Sequence, residues 1–332
     1  MSERPERTPP TGGFAAEDRR LLIALVGVLV VAFALVGSNV AANHAPKPHD
    51  VPVGVIGTPP VVGAVADSLG RRAPGAYQIH AYTSLAAART AILYRAVYGA
   101  LRPVPTLLLI ASAASPSVAT ELQQTFAAAR TQDKALVVRD LAPLPRSDPR
   151  GATAFSMILS LIIAGIMGSS VIYLLGRHRR PPVRLAAMVA LGIAAGLGAT
   201  LATNVVIGAF HGHFLAVWGV AALFVLALGL PIAGLQVLVG APGTAIGAVM
   251  FLVIGNPASG GSSAPELLPG FWRDLSQLLP PGAAITAMRD VVYFHGHGMT
   301  HALLVLSIYA ILGATVVLAV HVLHTRPASV SA

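Results

Sequence analysis

Apolar residues in this chain gather into six runs with uneven spacing. One run, Leu21 to Ala42, stands near the N-terminus, and the next, Phe155 to Leu175, follows only after a long mixed segment. Leu185 to Phe210 comes soon after, then the continuous stretch Phe214 to Ile254, broken in the middle by Gly240-Ala241-Pro242-Gly243, and finally His301 to Val322. Each long run offers about twenty residues without an acid, enough at about 1.5 Å per residue to cross a hydrocarbon core of roughly 30 Å. The stretch after the Gly-Pro break is short for a comfortable span. The pattern predicts an α-helical polytopic membrane protein of about six transmembrane helices, divided into a tail (1–20), a first span (21–42), an extracytoplasmic α/β domain (43–150) and a membrane domain (151–332) with a re-entrant segment at 256–299. Small residues at Ala41-Ala42 would also suit signal-peptide cleavage of the first run, but an apolar core reaching Val36 is long for a signal and fits an uncleaved anchor better.

Between the first two runs the periodicity changes. Val51 to Ile56, Tyr77 to Ala81, Leu107 to Ile110 and Ala135 to Val138 read as strands, and Val61 to Leu69, Leu85 to Tyr94 and Ser117 to Ala129 as helices. That alternation predicts a small domain with helices packed on a sheet. Asp50, Asp67, His80, Glu121, Asp133 and Asp140 are scattered along it with no nucleophile elbow and no repeated metal spacing, which reads as solvated surface.

Composition agrees with a membrane protein: 55% of residues are hydrophobic, 11% are charged, and the mean hydropathy is +0.73. The net charge of +9 comes from arginines placed beside the apolar runs, so lipid headgroups are the expected partner and nucleic acid is not. Arg4, Arg7, Arg19 and Arg20 precede the first run, Arg177, Arg179, Arg180 and Arg184 separate the second from the third, and Arg326 follows the last. With six crossings these clusters fall on one face, predicting a multi-pass cell membrane protein with both termini cytoplasmic and the α/β domain outside, and the preference for Arg over the two lysines fits a GC-rich bacterial source. Cysteine is absent, which excludes thiolate metal sites and a cysteine nucleophile. The two lysines are followed by Pro48 and Ala135, so no P-loop is present, and no Asp or Glu lies between Asp148 and Glu266 to serve a carboxylate proton relay. No enzyme chemistry and no cofactor is expected of this chain.

Small residues mark helix seams: Gly165 and Gly168, Gly192 and Gly196, Gly243 and Gly247. Asn39, Asn204 and Gln236 are the polar groups nearest the membrane interior, where hydrogen bonds between helices are the ordinary role. His211, His213, His295, His297 and His301 all fall at the predicted outer surface; alternate histidines can ligate a transition metal, although no carboxylate accompanies the first pair.

The segment after Ile254 is the most specific. Asn256-Pro257 leads through Gly260 to Pro269, Trp272 and a Leu279-Pro280-Pro281-Gly282 break, then a helical stretch carrying Arg289. Two short amphipathic helices dipping into the outer leaflet are predicted, with Trp272 and Tyr293 at the interface and Arg273, Asp274, Arg289 and Asp290 on the wet side. On these residues, with Tyr98-Gly99-Ala100-Leu101 and Ala111-Ser112-Ala113-Ala114-Ser115, the chain resembles permease subunits of type-2 ABC transporters, especially the actinobacterial group similar to YhgE/Pip (phage-infection-protein-like) membrane proteins. The resemblance implies a homodimer or paired permease whose outer re-entrant helices cap a transport pathway, driven by a separate nucleotide-binding ATPase subunit. It also permits the alternative, a non-transporting envelope protein whose outer domain acts as receptor or scaffold.

Overall fold

The computed structural model of the protein describes residues 16–128, 136–176 and 178–325. Arg4, Arg7, Asp133, Lys134, Arg177 and Arg326 lie outside the described residues. The fold has two parts, a helix bundle and a five-stranded sheet domain set between its first and second long helices.

The chain enters through α1 (Ala16–Asn43) and forms β1 (Val51–Ile56), α2 (Pro59–Arg72), β2 (Tyr77–Tyr82), α3 (Leu85–Leu93), β3 (Gly99–Arg102), β4 (Leu107–Ile110), α4 (Pro116–Ala128) and β5 (Val137–Asp140). Helix starts follow local chemistry: Pro59 and Pro60 open α2, and the Ser84 hydroxyl accepts the Ala87 N–H at 3.1 Å to cap α3. Strand order is β2-β1-β3-β4-β5, with β3 and β4 antiparallel and the other pairs parallel. Helices cover both faces, which is why the central strands are near-continuous apolar runs. Val51, Val53, Leu108 and Ile110 meet Val118, Leu122 and Phe126 of α4 on one side, while Ile56, Ala100 and Leu109 meet Ala88 and Ile92 of α3 on the other. Strand β3 was not expected from the sequence: with four residues and two of them Gly and Ala, it has no side-chain pattern of its own. Its place is fixed by close approach, since a side chain on Gly99 would stand 2.7 Å from the Leu109 carbonyl. The last strand lies two residues later than its apolar run suggests. Asp140 holds it there by accepting the Ser112 and Ala142 N–H groups at 3.1 and 3.2 Å.

The bundle contains α5 (Thr153–Gly176), α6 (Pro181–Thr200) running into a π-helical turn at Leu201–Val206, and α7 (Phe214–Val239). A shorter rod follows: α8 (Pro242–Ala248), a second π-helical turn at Val249–Ile254, and α9 (Gly255–Ala258). Then come α10 (Gly270–Ser276), α11 (Pro280–Tyr293) and α12 (Thr300–Thr325). Among the described residues five helices, α1, α5, α6 with its π turn, α7 and α12, are long and apolar enough to cross a membrane. The expected fifth of six spans falls short: Pro242–Ala258 is one apolar rod of intermediate length, because the Gly-Pro break takes its first turn and Asn256-Pro257 its last.

Helix α7 is the central post, touched by α5, α6, α8, α11 and α12, with Val220, Ala221, Phe224, Val225, Leu228 and Ile232 buried. Glycines admit the neighbours. A side chain on Gly196 would stand 2.7 Å from the Ala222 amide nitrogen and one on Gly192 3.1 Å from the Ala222 carbonyl, while one on Gly243 would strike the Leu235–Gln236 backbone. Gly247 and Gly168 face the side chains of Ile232 and Leu191, and Gly165 has room for a methyl group against Leu228. These seams therefore join helices of one chain. The tightest contact on α12, Gly313 on the Leu230–Pro231 backbone, carries no second glycine and was missed in the sequence. Gln236 ties three helices together, accepting from Ser169 of α5 at 3.3 Å and donating to Thr244 of α8 at 2.8 Å. Asn39 bonds within its own helix and Asn204 to the Gly212 carbonyl.

Helices α7 and α12 run parallel, with Gly313 against Leu230–Pro231 and Gly234 against Val316. The end of α1, the starts of α5, α7 and α12, and the end of α9 gather beneath the sheet domain. In the opposite direction α1 presents an apolar surface that no other helix among the described residues covers, with Leu29 and Phe33 68% and 81% exposed.

Candidate functional site: the junction of sheet domain and hairpin

Residues 255–294 form the joint between the two parts. Pro280 and Pro281 open α11, and Gly282 follows because a side chain there would collide with the Ser276 carbonyl at the end of α10. This closes α10 and α11 into a hairpin. Helix α11 is not amphipathic in the sense expected from the sequence. Pro280 to Ile285 and Ala287 to Val291 are all buried, because α5, α7, α9 and α12 surround it. Only α10, with Phe271 62% exposed and stacked edge-on against Trp272 at 5.2 Å, offers a surface.

The expected wet side of the hairpin is divided. Arg273 and Asp274 are at the surface, whereas Arg289 and Asp290 are 6% and 0% exposed. Asp290 is buried because it holds the sheet domain: Arg95, at the end of α3, forms an ion pair and hydrogen bond with its Oδ1. Arg95 adopts φ of +60°, the left-handed position after a helix where glycine is usual. The Arg95 N–H bonds the Ile92 carbonyl at 3.0 Å and the Ala96 N–H the Ala91 carbonyl at 2.8 Å, a Schellman closure that aims the guanidinium down at the hairpin. A backbone state that costs a non-glycine residue about 1 kcal/mol is held by what its side chain grips. The same guanidinium lies 5.5 Å from the centre of the Phe294 ring.

Further bonds tie the loop 259–268 to the domain. Tyr98 Oη donates to Glu266 Oε2 at 2.8 Å; burial pushes its hydroxyl far above the usual phenol range, and the Glu266 charge pushes the same way. His49 N–H donates to the Glu266 carbonyl at 2.8 Å and Lys47 N–H to that of Leu267 at 3.2 Å. Ser262 Oγ reaches Asn43 Oδ1 at 2.9 Å. Ala264 and Leu267 enter one core of the sheet domain and Phe294 the other. The Arg289 guanidinium donates to the Gly260 and Gly261 carbonyls at 3.1 and 3.0 Å. Asn256 and Pro257 are buried at the foot of this loop, and Gly260 turns it with φ of +71°.

Two cavities flank Arg289. One of about 290 Å³ lies over the hairpin among Arg95, Tyr98, Glu266, Asp290 and His301. The other, of about 440 Å³, lies between the start of α4 and Gly261–Ser263. The five candidate histidines are dispersed around the joint: His213 and His295 meet edge-on with ring centres 5.9 Å apart, His297 stacks on Tyr94 at 4.0 Å, His301 lines the first cavity, and His211 is exposed. Among the described residues no three His, Cys, Asp or Glu side chains are grouped to hold a metal ion. Arg95, Tyr98, Glu266 and Asp290 were not singled out as a site from the sequence. The available signal was a charged pair at 289–290 inside an Ala-rich helix, a composition that water-facing helices do not need.

Scans of the chain against protein-family models, curated proteins and solved structures each find no match.

Proposed function

We propose that this chain is the permease subunit of an exporter of the ABC type, moving a hydrophobic or amphipathic substrate with energy from a separate ATPase subunit. The observation that carries the reading is the hairpin α10–α11: a segment that enters the bundle without being a long span, lies among α5, α7 and α12, and is latched from above by the sheet domain. A hairpin so placed can shift with the domain and so open or close a path beside α7. A groove of about 370 Å³ between the start of α5 and the end of α6, lined by Met157, Ala199, Thr203 and Ile207 among others, suits an apolar cargo approaching from the side. The π-helical turn at Leu201–Val206 lies along that groove, and such turns often accompany functional sites. We assign the sheet domain to the outside of a bacterial plasma membrane and both termini to the cytoplasm, on the arginines at the opposite end of the bundle, Arg179, Arg180 and Arg184.

One observation favours the second reading, an envelope receptor or scaffold. The connections at the end far from the sheet domain are short, Gly176 to Pro181 and Gly240–Ala241, and offer an ATPase little to grip. Affinity purification of the intact protein in mild detergent, with ATPase assay and mass spectrometry of co-purifying chains, separates the two. A stoichiometric nucleotide-binding subunit is expected. Its reproducible absence from an otherwise intact preparation transfers the assignment to the receptor or scaffold role.

A further inference from the structure

Arg289 is a buried cation that shares its neighbouring acid, Asp290, with Arg95. It is 6% exposed, its guanidinium donates only to the Gly260 and Gly261 carbonyls, and among the described residues no carboxylate forms an ion pair with it, Asp290 being taken by Arg95. Burying a charge costs several kcal/mol, and a guanidinium held by two carbonyls and a shared acid leaves room for an anion that completes it. The cleft of about 440 Å³ beside it carries suitable chemistry. Ser117 and Thr120 line it from the first turns of α4, a 13-residue helix whose N-terminal N–H groups favour negative charge, and Ser115 lines it from just before the helix, its hydroxyl accepting the Val118 N–H at 3.3 Å. Arg150 stands on its wall, exposed and without a carboxylate partner among the described residues. Ser263 lines the same cleft; it is 9% exposed and its hydroxyl has no hydrogen-bond partner. Glu121 is the acid on the lining, and its carboxylate already accepts from Tyr77 at 3.2 Å and Thr125 at 3.3 Å. Two arginines, an orphan hydroxyl and a helix start therefore converge on one space.

We propose that this cleft binds a phosphate oxyanion, held between Arg150 and Arg289 with the hydroxyls of Ser117 and Ser263 as further donors. The proposal is independent of whether the chain moves cargo. Phosphate could reach the cleft as the free ion or as the headgroup of a membrane lipid, because the cleft sits where the sheet domain meets the starts of the helices.

The test uses the full-length protein in detergent. Inorganic phosphate is titrated by calorimetry, and phosphatidylglycerol against phosphatidylcholine by native mass spectrometry. Saturable binding of phosphate, or selective retention of phosphatidylglycerol, is expected; the first marks a free-ion site and the second a headgroup site. Arg150→Gln, an exposed change, and Ser263→Ala should each weaken that binding by about tenfold or more, the usual effect of losing a hydrogen bond to a charged ligand. Ser263→Ala removes an unpartnered buried hydroxyl, so it should melt no lower than the parent protein while binding worse. A merely structural serine would not separate these two readouts. Absence of saturable binding for both probes, or variants that bind as the parent does, overturns the proposal.

Discussion

The two seams of this molecule are built from opposite materials. Inside the bundle, helices meet through Gly192, Gly196, Gly243 and Gly313 lying on the backbone of α7, with Gln236 as the main polar tie. Between the bundle and the sheet domain, contact runs through Arg95 with Asp290 and Tyr98 with Glu266, while Arg289 braces the loop at Gly260 and Gly261. The difference follows from solvent. Lipid tails are as apolar as leucine, so helices in a membrane gain nothing by hiding apolar surface from each other and associate through close packing. At the joint, a loop and a helix end must satisfy their polar groups away from water, and charged hydrogen bonds fix a single arrangement. The bundle seam sets distance, and the joint sets register.

That contrast is sharpest at Arg95 and Asp290. Arg95→Ala leaves the Asp290 carboxylate fully buried without its partner and should destabilise the folded protein by about 3–5 kcal/mol. Asp290→Ala strands a guanidinium that is 15% exposed and should cost somewhat less. The double variant removes both charges and should recover much of the loss, a positive coupling read by thermal unfolding in detergent. If the two single changes simply add, the pair is not the latch. Limited proteolysis supplies a second readout: the loop 259–268 should become cleavable in each single variant while the bundle stays resistant.

Steric closure of the hairpin comes next. Gly282→Ala places a methyl group on the Ser276 carbonyl, a backbone atom that cannot swing aside, and a loss of about 3 kcal/mol is expected. Gly165→Ala is the control from the bundle, where the nearest atom would be 3.4 Å away. It should be close to neutral and can even stabilise, because alanine loses less backbone freedom on folding. Equal melting losses for the two glycines would show that the measured close approach does not govern the hairpin.

These positions also show what could be read in the chain beforehand. The long apolar runs and the glycine pairs were legible because length and spacing are local properties. The break at Pro280-Pro281-Gly282 was legible too, since it is written in residues with few conformational alternatives. The depth of α11 was not. Its alanines and its Arg-Asp pair look amphipathic in isolation, and only the approach of α3, nearly two hundred residues earlier, turns the polar side inward. Strand β3 was hidden for a related reason: its four residues acquire strand geometry from β1 and β4 on either side. Local pattern reports the element, and long-range partners decide which of its faces meets water.

Within the bundle the polar tie should matter less than the latch. Gln236→Leu leaves Ser169 and Thr244 without one of their partners, yet Ser169 still reaches the Gly229 carbonyl at 3.2 Å. A loss of about 1 kcal/mol is expected, since hydrogen bonds between membrane helices average well below that and the orphaned hydroxyls add to it. A loss as large as that of Arg95→Ala would erase the distinction between the two seams.

Loss of the Tyr98 hydroxyl should be as modest as that of the Gln236 amide, and pH makes it separable. Its hydroxyl donates to Glu266, and burial with that neighbouring charge raises its ionisation above the ordinary value of 10.0. The folded state thus holds the proton more tightly than the unfolded chain. Linkage then gives the sign: the stabilisation is fully present below pH 10 and is lost as the pH climbs above it, because the unfolded tyrosine ionises first. Tyr98→Phe should cost about 1 kcal/mol at neutral pH, leaving Glu266 short of one donor. Its unfolding free energy should also fall less steeply than the parent's between pH 10 and 11. A parallel fall in both proteins would mean that the loop 259–268 is held by its backbone bonds to Lys47 and His49 and by the packing of Leu267, with the Tyr98 hydroxyl contributing nothing to the joint.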